Sequence, residues 1–414
     1  MSRRHRSAPP LPAVFPPLDD DCIWEILLRL PPQPSFLLRA SLVCKRWRCL
    51  VTNPKFLSRF SAHHRRPPLL GFFSAHKAIF FVPALDPPDW IPAPRFSLRP
   101  GHGDRFQFLD CRHGRALILS HTQPPQIVVW DPFTGEQIRV AAPPAFSASE
   151  TLAIVNGAVL CAAGDHGHLH GDCRSRSFRV VLGAFDIDTT HAFACVYSSE
   201  GGVWGDVASL PILESDWIKM LHDMRNFHFQ PEVTPMVLVG DSLYWLLWQH
   251  MPTWYSGVIL KIDLQRQSIA VVKSPPDVNG PKECAFTIVP GEDGCLGLIL
   301  MSYSCATLWN RRVYTDGDAI WVPGRTIQLD KLLSLGLVDK EETLLSVGFA
   351  EQNNVMLVRT CNHVFMVYLR SMKFKKLCHS GKRYFYHPFE SFYSPGHDFY
   401  IIILRASKNF IYKN

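Results

Sequence analysis

Residues 107–140 read QFLDCRHGRALILSHTQPPQIVVWDPFTGEQIRV, and within them short apolar runs alternate with polar or glycine-containing segments. Runs of this length, bounded by turn residues, are typical of β-strands joined as hairpins. The pair Thr134-Gly135 suits a tight turn, because glycine readily adopts the positive φ that such turns need. The stretch therefore predicts two consecutive hairpins, 107–120 and 127–140, which together make four antiparallel strands.

The same pair of hairpins recurs along most of the chain. First hairpins are predicted at 107–120, 152–163, 236–248, 287–301 and 347–360, and second hairpins at 127–140, 193–207, 257–272, 307–322 and 363–377. The turns of the second hairpins are spaced by roughly 50–65 residues, somewhat more than a kelch repeat. Asn156-Gly157 is the expected turn of the hairpin at 152–163, and residues 178–182 add a further strand to that unit. Two hairpins per unit predict the four-stranded blade of a β-propeller.

Two segments remain at the ends of this repeat, and they predict how the ring closes. Residues 69–83 (LLGFFSAHKAIFFVP) and 384–392 are expected to combine into one closing blade. Closure removes free sheet edges, which otherwise invite aggregation. The prediction for residues 69–400 is therefore an all-β propeller of about six blades, with seven as the alternative.

A helical module is predicted ahead of the β-domain, at residues 18–60. Three aspartates at 19–21 precede an apolar run and suit a helix start, because carboxylates cap free N–H groups and favour the positive end of the helix dipole. The following apolar residues share one helical face: Ile23, Ile26, Leu27 and Leu30. Pro31-Pro32 ends this helix, and two more helices are predicted at 36–44 and 45–51 before a break at Asn53-Pro54.

This module has more apolar side chains than three short helices are expected to bury. The surplus set is Trp24, Leu28, Leu37, Val43, Trp47 and Phe56. A unit of about 40 residues rarely builds a sufficient core alone, and exposed apolar patches usually mark an interface. A basic rim suits an acidic partner and consists of Arg39, Lys45, Arg46 and Arg48. The alternative is a small helical cap packed on the second domain.

The run LDDDCIWEILLRLPPQPSFLLRASLVCKRWRCLVTNPKF at 18–56 resembles an F-box in its acidic start, EILLRLPP, LLRA, VCKRWR and NPKF. It departs from the family at Leu18-Asp19, where Leu-Pro is usual. The resemblance implies a three-helix module that inserts between helices of a Skp-family adaptor, which a cullin carries in turn. The adaptor contacts that it implies are Leu18, Ile26, Leu27, Leu30, Pro31, Leu37, Val43, Cys44, Trp47, Leu50 and Phe56.

The β-domain carries a second resemblance. The phrases AFACVYSSEGGVWGD, YWLLW, LWNRR with AIWVPGRTIQLDKLL, and YFYHPFESFYS are similar to the F-box-associated domain of a large plant, especially grass, F-box family. That resemblance implies binding of a target protein and identifies no contact residues. We therefore expect a non-catalytic substrate receptor of a ubiquitin ligase. The alternatives are an F-box scaffold acting outside the ligase and, more remotely, a propeller hydrolase.

Length and composition agree with this α+β multidomain organisation. The chain has 414 residues and a net charge of +7, a mild excess that does not by itself indicate nucleic acid. Neither a signal peptide nor an apolar run long enough for a membrane span is evident, and cysteines in apolar runs suit a reducing compartment, so cytoplasm or nucleus is expected. The expected segments are an arm (1–17), the F-box (18–60), a linker (61–68), the β-domain (69–400) and a tail (401–414).

Candidate chemistry is sparse. Residues 164–173 (GDHGHLHGDC) combine His, Asp and Cys, which are metal-ligand types, but their glycines favour a solvated loop. Six aspartates recur beside turns and are expected to cap them rather than act as acid–base pairs: Asp110, Asp131, Asp186, Asp188, Asp241 and Asp263. No nucleophile elbow, zincin helix or phosphate-binding loop is present. The sequence therefore predicts no catalytic residue, metal or cofactor.

Overall fold

The computed structural model describes residues 19–75, 78–96, 98, 105–147, 152–162, 173, 177–186, 188–212, 234–250, 254–275, 280–281, 285–314, 319–335, 344–379 and 385–393. The described residues divide into two compact units: a helical unit from Asp19 to His63, to which Tyr393 also belongs, and a β-unit within residues 64–392. None of the helices in the described ranges is long and apolar enough to cross a membrane. Every described cysteine is a free thiol.

The helical unit contains α1 (Asp20–Leu28), α2 (Pro34–Val43), α3 (Lys45–Thr52) and α4 (Pro54–His64). Asp19 caps α1 as the sequence predicts, because its Oδ1 accepts a hydrogen bond from the Cys22 backbone N–H at 2.7 Å. The three predicted helices are present, but the fourth was not expected. Pro54 is the first residue of α4, a position where proline's fixed φ is favourable. The Asn53-Pro54 pair, which was predicted to end the third helix, therefore leads directly into a fourth.

The β-unit contains six sheets within the described residues. The closing blade has β1 (Leu69–Ala75), β2 (Ile79–Pro83) and β25 (His387–Glu390), and the first blade has β3 (Phe106–Arg112), β4 (Arg115–Ser120), β5 (Gln126–Trp130) and β6 (Gln137–Ala141). The second blade has β7 (Leu152–Cys161), β8 (Phe178–Asp186), β9 (His191–Ser198), β10 (Val203–Trp204) and β11 (Ala208–Pro211).

The remaining three blades follow in chain order. The third has β12 (Val237–Val239), β13 (Ser242–His250), β14 (Trp254–Asp263), β15 (Ser268–Val272) and β16 (Gly280–Pro281), and the fourth has β17 (Ala285–Pro290), β18 (Leu296–Met301), β19 (Cys305–Val313) and β20 (Ala319–Gln328). A short helix, α5 (Leu329–Leu332), leads to the fifth blade, which has β21 (Leu345–Ala350), β22 (Val355–Arg359), β23 (His363–Tyr368) and β24 (Lys373–His379).

The inner strands of the six blades form a ring. Strand β25 contacts β3 and β21, β3 contacts β7, and β17 contacts β12 and β21. At the remaining junction, Asn156 Nδ2 in β7 donates to the Thr234 carbonyl ahead of β12 at 2.8 Å. The prediction of six blades is confirmed. The predicted closing blade is confirmed too, because β1 pairs antiparallel with β25 through Gly71↔Phe389 and Phe73↔His387.

One predicted turn is wrong. Asn156-Gly157 lies inside the continuous strand β7, at a register shift in its pairing with β8. Asn156 is buried, and a Cβ on Gly157 would lie 3.0 Å from side-chain carbons of Leu109 and Leu117. The asparagine therefore supplies a buried hydrogen bond to the next blade, and the glycine permits close packing against the first blade.

Candidate functional site

Within its described residues, the helical unit exposes three large apolar side chains, which we call the exposed apolar set. Ile26 in α1 is 47% exposed, and Leu42 and Val43 at the end of α2 are 46% and 62% exposed. Leaving large aliphatic side chains in water forgoes the free energy of burial, about 1.5–3 kcal/mol for a fully buried one. An interface that covers these side chains would recover part of that free energy, so the set is a candidate docking site.

The structure places the eleven predicted adaptor contacts in different environments. Ile26, Pro31, Val43 and Cys44 are exposed, Leu30 and Trp47 are half-buried, Leu27, Leu37, Leu50 and Phe56 are buried, and Leu18 lies outside the described residues. Their contact with an adaptor stays a prediction. Substitution of the four buried residues would disturb the folded chain as well as any docking surface, so the exposed positions give the cleaner test.

The helical unit leaves fewer apolar side chains unburied than the sequence predicts. Phe56 is fully buried, with its ring centroid 5.8 Å from that of Trp24 and 5.9 Å from that of Phe60. Leu28 and Leu37 are also buried. The fourth helix, which the sequence reading missed, supplies Phe56 and Phe60 to this packing. The surplus that remains includes Val43, together with the half-buried Trp24 and Trp47.

The charges of the helical unit are partly paired with one another. Arg46 Nε lies 2.7 Å from Asp20 Oδ1, and Glu25 lies 3.2 Å from Arg59 and 3.4 Å from Arg29. These are exposed pairs, whose contribution to stability is small, typically about 0–1 kcal/mol. Arg39 and Lys45 of the predicted basic rim are exposed, beside the end of α2 and at the start of α3. Arg39 and Lys45 lie close in sequence to Leu42 and Val43, so positively charged residues flank this part of the exposed apolar set.

The β-unit contains a second candidate site at the inner strands of its ring. This cavity, which we call the axial cavity, has a volume of about 70 Å³. Its wall comes from the first, third, fourth, fifth and closing blades. The polar residues that line it include Asp110, Arg112, Thr234, Glu351 and Glu390.

A guanidinium joins three blades at this cavity. Arg112 Nη1 lies 3.2 Å from Asp110 Oδ2, and its Nη2 donates to Glu351 Oε1 and to the carbonyl oxygen of Met236. Asp110 Oδ2 also accepts the backbone N–H of Val159 in β7 at 3.0 Å. Charge-assisted hydrogen bonds of this kind are stronger than neutral ones, so they fix the relative positions of the inner strands.

Glu390 is held by neutral donors instead. Its Oε1 accepts from the Asn353 backbone N–H at 2.9 Å and from Asn353 Nδ2 at 2.7 Å, and its Oε2 accepts from the Gln352 N–H at 3.3 Å. The same Asn353 amide donates to the Pro67 carbonyl at 3.0 Å. These bonds tie the β21–β22 turn to the closing strand.

Burial shifts the protonation of this cluster. Loss of solvation raises the pKa of Asp110 to about 6 and that of Glu390 to about 7, and the Glu351 carboxylate adds to both shifts. Burial alone would lower the pKa of Arg112, but Asp110 and Glu351 raise it on balance. Burial, and then the charge of Arg112, lower the pKa of His387 to about 3, so this histidine is neutral at physiological pH.

The raised carboxyl pKa values predict a pH dependence of stability. A carboxyl with a higher pKa in the folded state contributes stability below its unfolded value, and this contribution is lost as the pH rises through the folded value. For Glu390 the loss spans about pH 4.5 to 7. We expect Glu390→Gln to reduce the fall in melting temperature between pH 5.5 and pH 8. The exposed Glu136→Gln is the control, and an equal pH dependence in both variants would contradict the assignment.

Three of the six aspartates predicted to cap turns are seen to do so. Asp131, Asp186 and Asp263 each accept backbone N–H groups two and three residues ahead, at 2.8–3.4 Å. Asp241 instead accepts a hydrogen bond from a side chain, that of Gln265 Nε2. Asp110 also differs from the prediction, because it belongs to the buried cluster around Arg112. Sequence gave no signal for that cluster, whose members are far apart along the chain.

No group of three or more metal-ligand side chains is arranged around an ion site in the described ranges. The histidines of the candidate segment, His166, His168 and His170, lie outside those ranges, as do the arm at 1–17 and the tail at 401–414. Of that segment only Cys173 is described, and it is buried.

Comparison with protein families identifies the N-terminal module. Residues 15–59 match the F-box domain, which agrees with the module predicted at 18–60. F-box domains bind Skp-type adaptors, and through them cullins. The chain therefore consists of an F-box domain followed by a six-bladed β-propeller-like unit. A search of curated proteins found no match.

Several solved structures match the chain at low sequence identity and low TM-score. TolB from Acinetobacter baumannii has a TM-score of 0.39 and 11% identity, with 80% of this chain and 69% of TolB covered. The Dos1 propeller has a TM-score of 0.35 and 9% identity, with 75% and 67% covered. The extracellular domain of a one-component system from B. thetaiotaomicron has a TM-score of 0.31 and 12% identity over 67% of this chain. The chain spans only 28% of that last protein.

Proposed function

We propose that this protein is the substrate-recognition subunit of a Skp–cullin–F-box ubiquitin ligase. The match to the F-box at residues 15–59 carries the proposal, and the exposed apolar set supports it. In this proposal the helical unit docks the adaptor and the propeller binds a target protein. Holding the target beside a separately bound conjugating enzyme raises the effective concentration of its lysines, so the chain itself needs no catalytic group.

Reconstituted ubiquitin transfer tests this role. The full chain would be combined with a Skp-type adaptor, a cullin–RING module, the activating and conjugating enzymes and ubiquitin. We expect ubiquitin to be conjugated to proteins that the chain captures, and we expect transfer to require the adaptor. Stable assembly with adaptor and cullin but no transfer would instead favour the scaffold alternative. We further propose that the protein works in the cytoplasm or nucleus, because its cysteines are free thiols wherever the structure describes them.

A further inference from the structure

The outer strand of the fifth blade concentrates positive charge. Strand β24 reads KFKKLCH over Lys373–His379, and the side chains of Lys373, Phe374 and Lys376 are exposed. Residues 352–389, which include β22, β23 and β24, contain seven lysines and arginines and no aspartate or glutamate. In contrast, the outer strands β6, β15 and β20 of three other blades carry at most one charged residue each. The basic character is therefore a property of this blade and not of outer strands in general.

Part of this charge has no partner within the described ranges. Lys375 Nζ lies 2.7 Å from Asp86 Oδ1 and donates to the Ala84 carbonyl at 2.8 Å, which holds this lysine against the segment that follows β2. Neither Lys373 nor Lys376 forms an ion pair with a described residue. Exposed lysines are well solvated, so their charge attracts an acidic partner without by itself defining a binding site.

The same strand has an open edge. On one side β24 pairs with β23, through Lys373↔Tyr368 and Lys375↔Met366, and no described strand pairs with its other side. Such an edge presents a row of N–H and C=O groups that a further strand completes. A second copy of β24 is disfavoured there, because like-charged lysines would stand close to one another. An acidic strand instead meets complementary charge, so the edge selects its partner by the sign of the charge.

The order of side chains along β24 defines what a partner strand needs. Phe374 is 42% exposed and packs on Phe365, with the two ring centroids 6.1 Å apart. A partner residue opposite Phe374 gains an apolar contact, since side chains directly opposite in a sheet lie about 4.5–5.5 Å apart. Acidic residues opposite Lys373 and Lys376 gain ion pairs. The residue opposite Lys375 needs no charge, because Lys375 is already paired.

We propose that the open edge of β24 binds an extended acidic segment of the target polypeptide, which adds to the fifth blade as a further strand. An antiparallel segment has the order acidic, any residue, apolar, acidic, and a parallel segment has the reverse order. This inference rests on the proposed role of the propeller as the target receptor. Nucleic acids and anionic membranes share the negative charge but lack the main-chain amides that complete a strand edge, so a polypeptide alone uses both features.

Peptide binding to the full-length protein tests the proposal, measured by calorimetry or ligand-observed NMR. The probes are N-acetyl-Thr-Glu-Thr-Val-Glu-Thr-amide and its forms with glutamine or lysine in place of both glutamates. We expect the acidic probe to bind at least about tenfold more tightly than the other two. The acidic probe is also made in two N-methylated forms, each of which blocks alternate backbone N–H groups, and strand addition predicts that at least one form loses binding. Equal affinities of the acidic and glutamine probes, or unchanged binding of both methylated forms, would overturn the proposal.

Charge reversal places the site on β24. The double variant Lys373→Glu with Lys376→Glu is expected to lose the acidic probe and to prefer the lysine probe by at least about tenfold. The control is Arg139→Glu with Lys273→Glu, which changes the net charge equally at exposed positions in β6 and directly after β15, and it should keep the original preference. Melting temperatures show whether both variants fold. An unchanged preference in the folded β24 variant would overturn the assignment of the site.

Competing classes of ligand are tested on the same protein. A short single-stranded oligonucleotide and vesicles containing phosphatidylserine carry negative charge without the main-chain groups of a β-strand. If either binds more tightly than the acidic peptide and loses binding in the charge-reversed variant, the proposal is wrong. Adaptor capture is measured on the same preparations: its loss alone counts against the ligase role, and absence of peptide binding with adaptor capture intact counts against this inference.

Discussion

Val43→Asp is expected to reduce capture of a Skp-type adaptor by at least about 100-fold. Val43 is 62% exposed at the last residue of α2, so the folded chain has room for aspartate there. In a docked complex the new carboxylate would be buried in the interface without a partner. The basic side chains of Arg39 and Lys45 could pair with it only if the adaptor did not already engage them. A penalty of about 3 kcal/mol at an interface corresponds to that loss of affinity.

The β-unit offers a closely matched control. Val203 in β10 has the same side chain and the same exposed fraction, 62%. Val203→Asp should leave adaptor capture at the level of the unmodified protein, and both variants should melt within a few degrees of it, because exposed substitutions usually change stability by about 0.5 kcal/mol or less. Binding is measured by surface plasmon resonance with purified adaptor. If both variants bind normally, Val43 is not part of the docking surface.

Two other predicted contacts show why exposure matters for this test. Leu27 is fully buried, and its replacement by alanine is expected to destabilise the helical unit by about 2–5 kcal/mol. Loss of adaptor capture would then report unfolding as well as lost contact. Trp47 is half-buried, so Trp47→Ala combines both effects to a smaller degree. Val43→Asp separates docking from folding.

Local patterns in the sequence were enough to predict most of the propeller. Each hairpin is encoded by its own apolar runs and turn, as at Asp131–Gly135, where Asp131 accepts the Phe133 N–H and Gly135 has φ 79°. The closing blade followed from a different argument, that a ring of hairpins with one unpaired segment at each end closes by pairing those segments. The register Gly71↔Phe389 bears this out.

The failures occur where distant residues decide the local structure. Asn156-Gly157 has the composition of a turn, but the packing of Leu109 and Leu117 and the hydrogen bond to Thr234 hold it within an inner strand. The cluster around Arg112 was also out of reach, because Glu351 is 239 residues away along the chain. A charged residue in an inner strand becomes interpretable only once the strands beside it are known.

Phe389→Ala is expected to give the largest loss of stability, because this side chain fills the closing blade. Phe389 is fully buried, with ring centroids of Phe73 and Phe96 at 5.2 Å and that of Phe133 at 5.3 Å. Removing a buried phenylalanine costs about 3–5 kcal/mol, which includes the cavity that remains. For a domain of this size the melting temperature should fall by about 10 °C.

Phe374→Ala is the matched control, since the Phe374 side chain in β24 is 42% exposed and should cost far less. The comparison tests how the ring is held together. Strand β25 joins β1 across more than 300 residues of chain, so this pairing is a long-range contact that forms against a large loop-closure entropy. If the closing blade secures the ring, the packing of Phe389 against Phe73, Phe96 and Phe133 must offset this loop-closure entropy. The melting temperatures of both variants are measured by calorimetry. Equal shifts in the two variants would show that the other blades hold the propeller closed without the packing of Phe389.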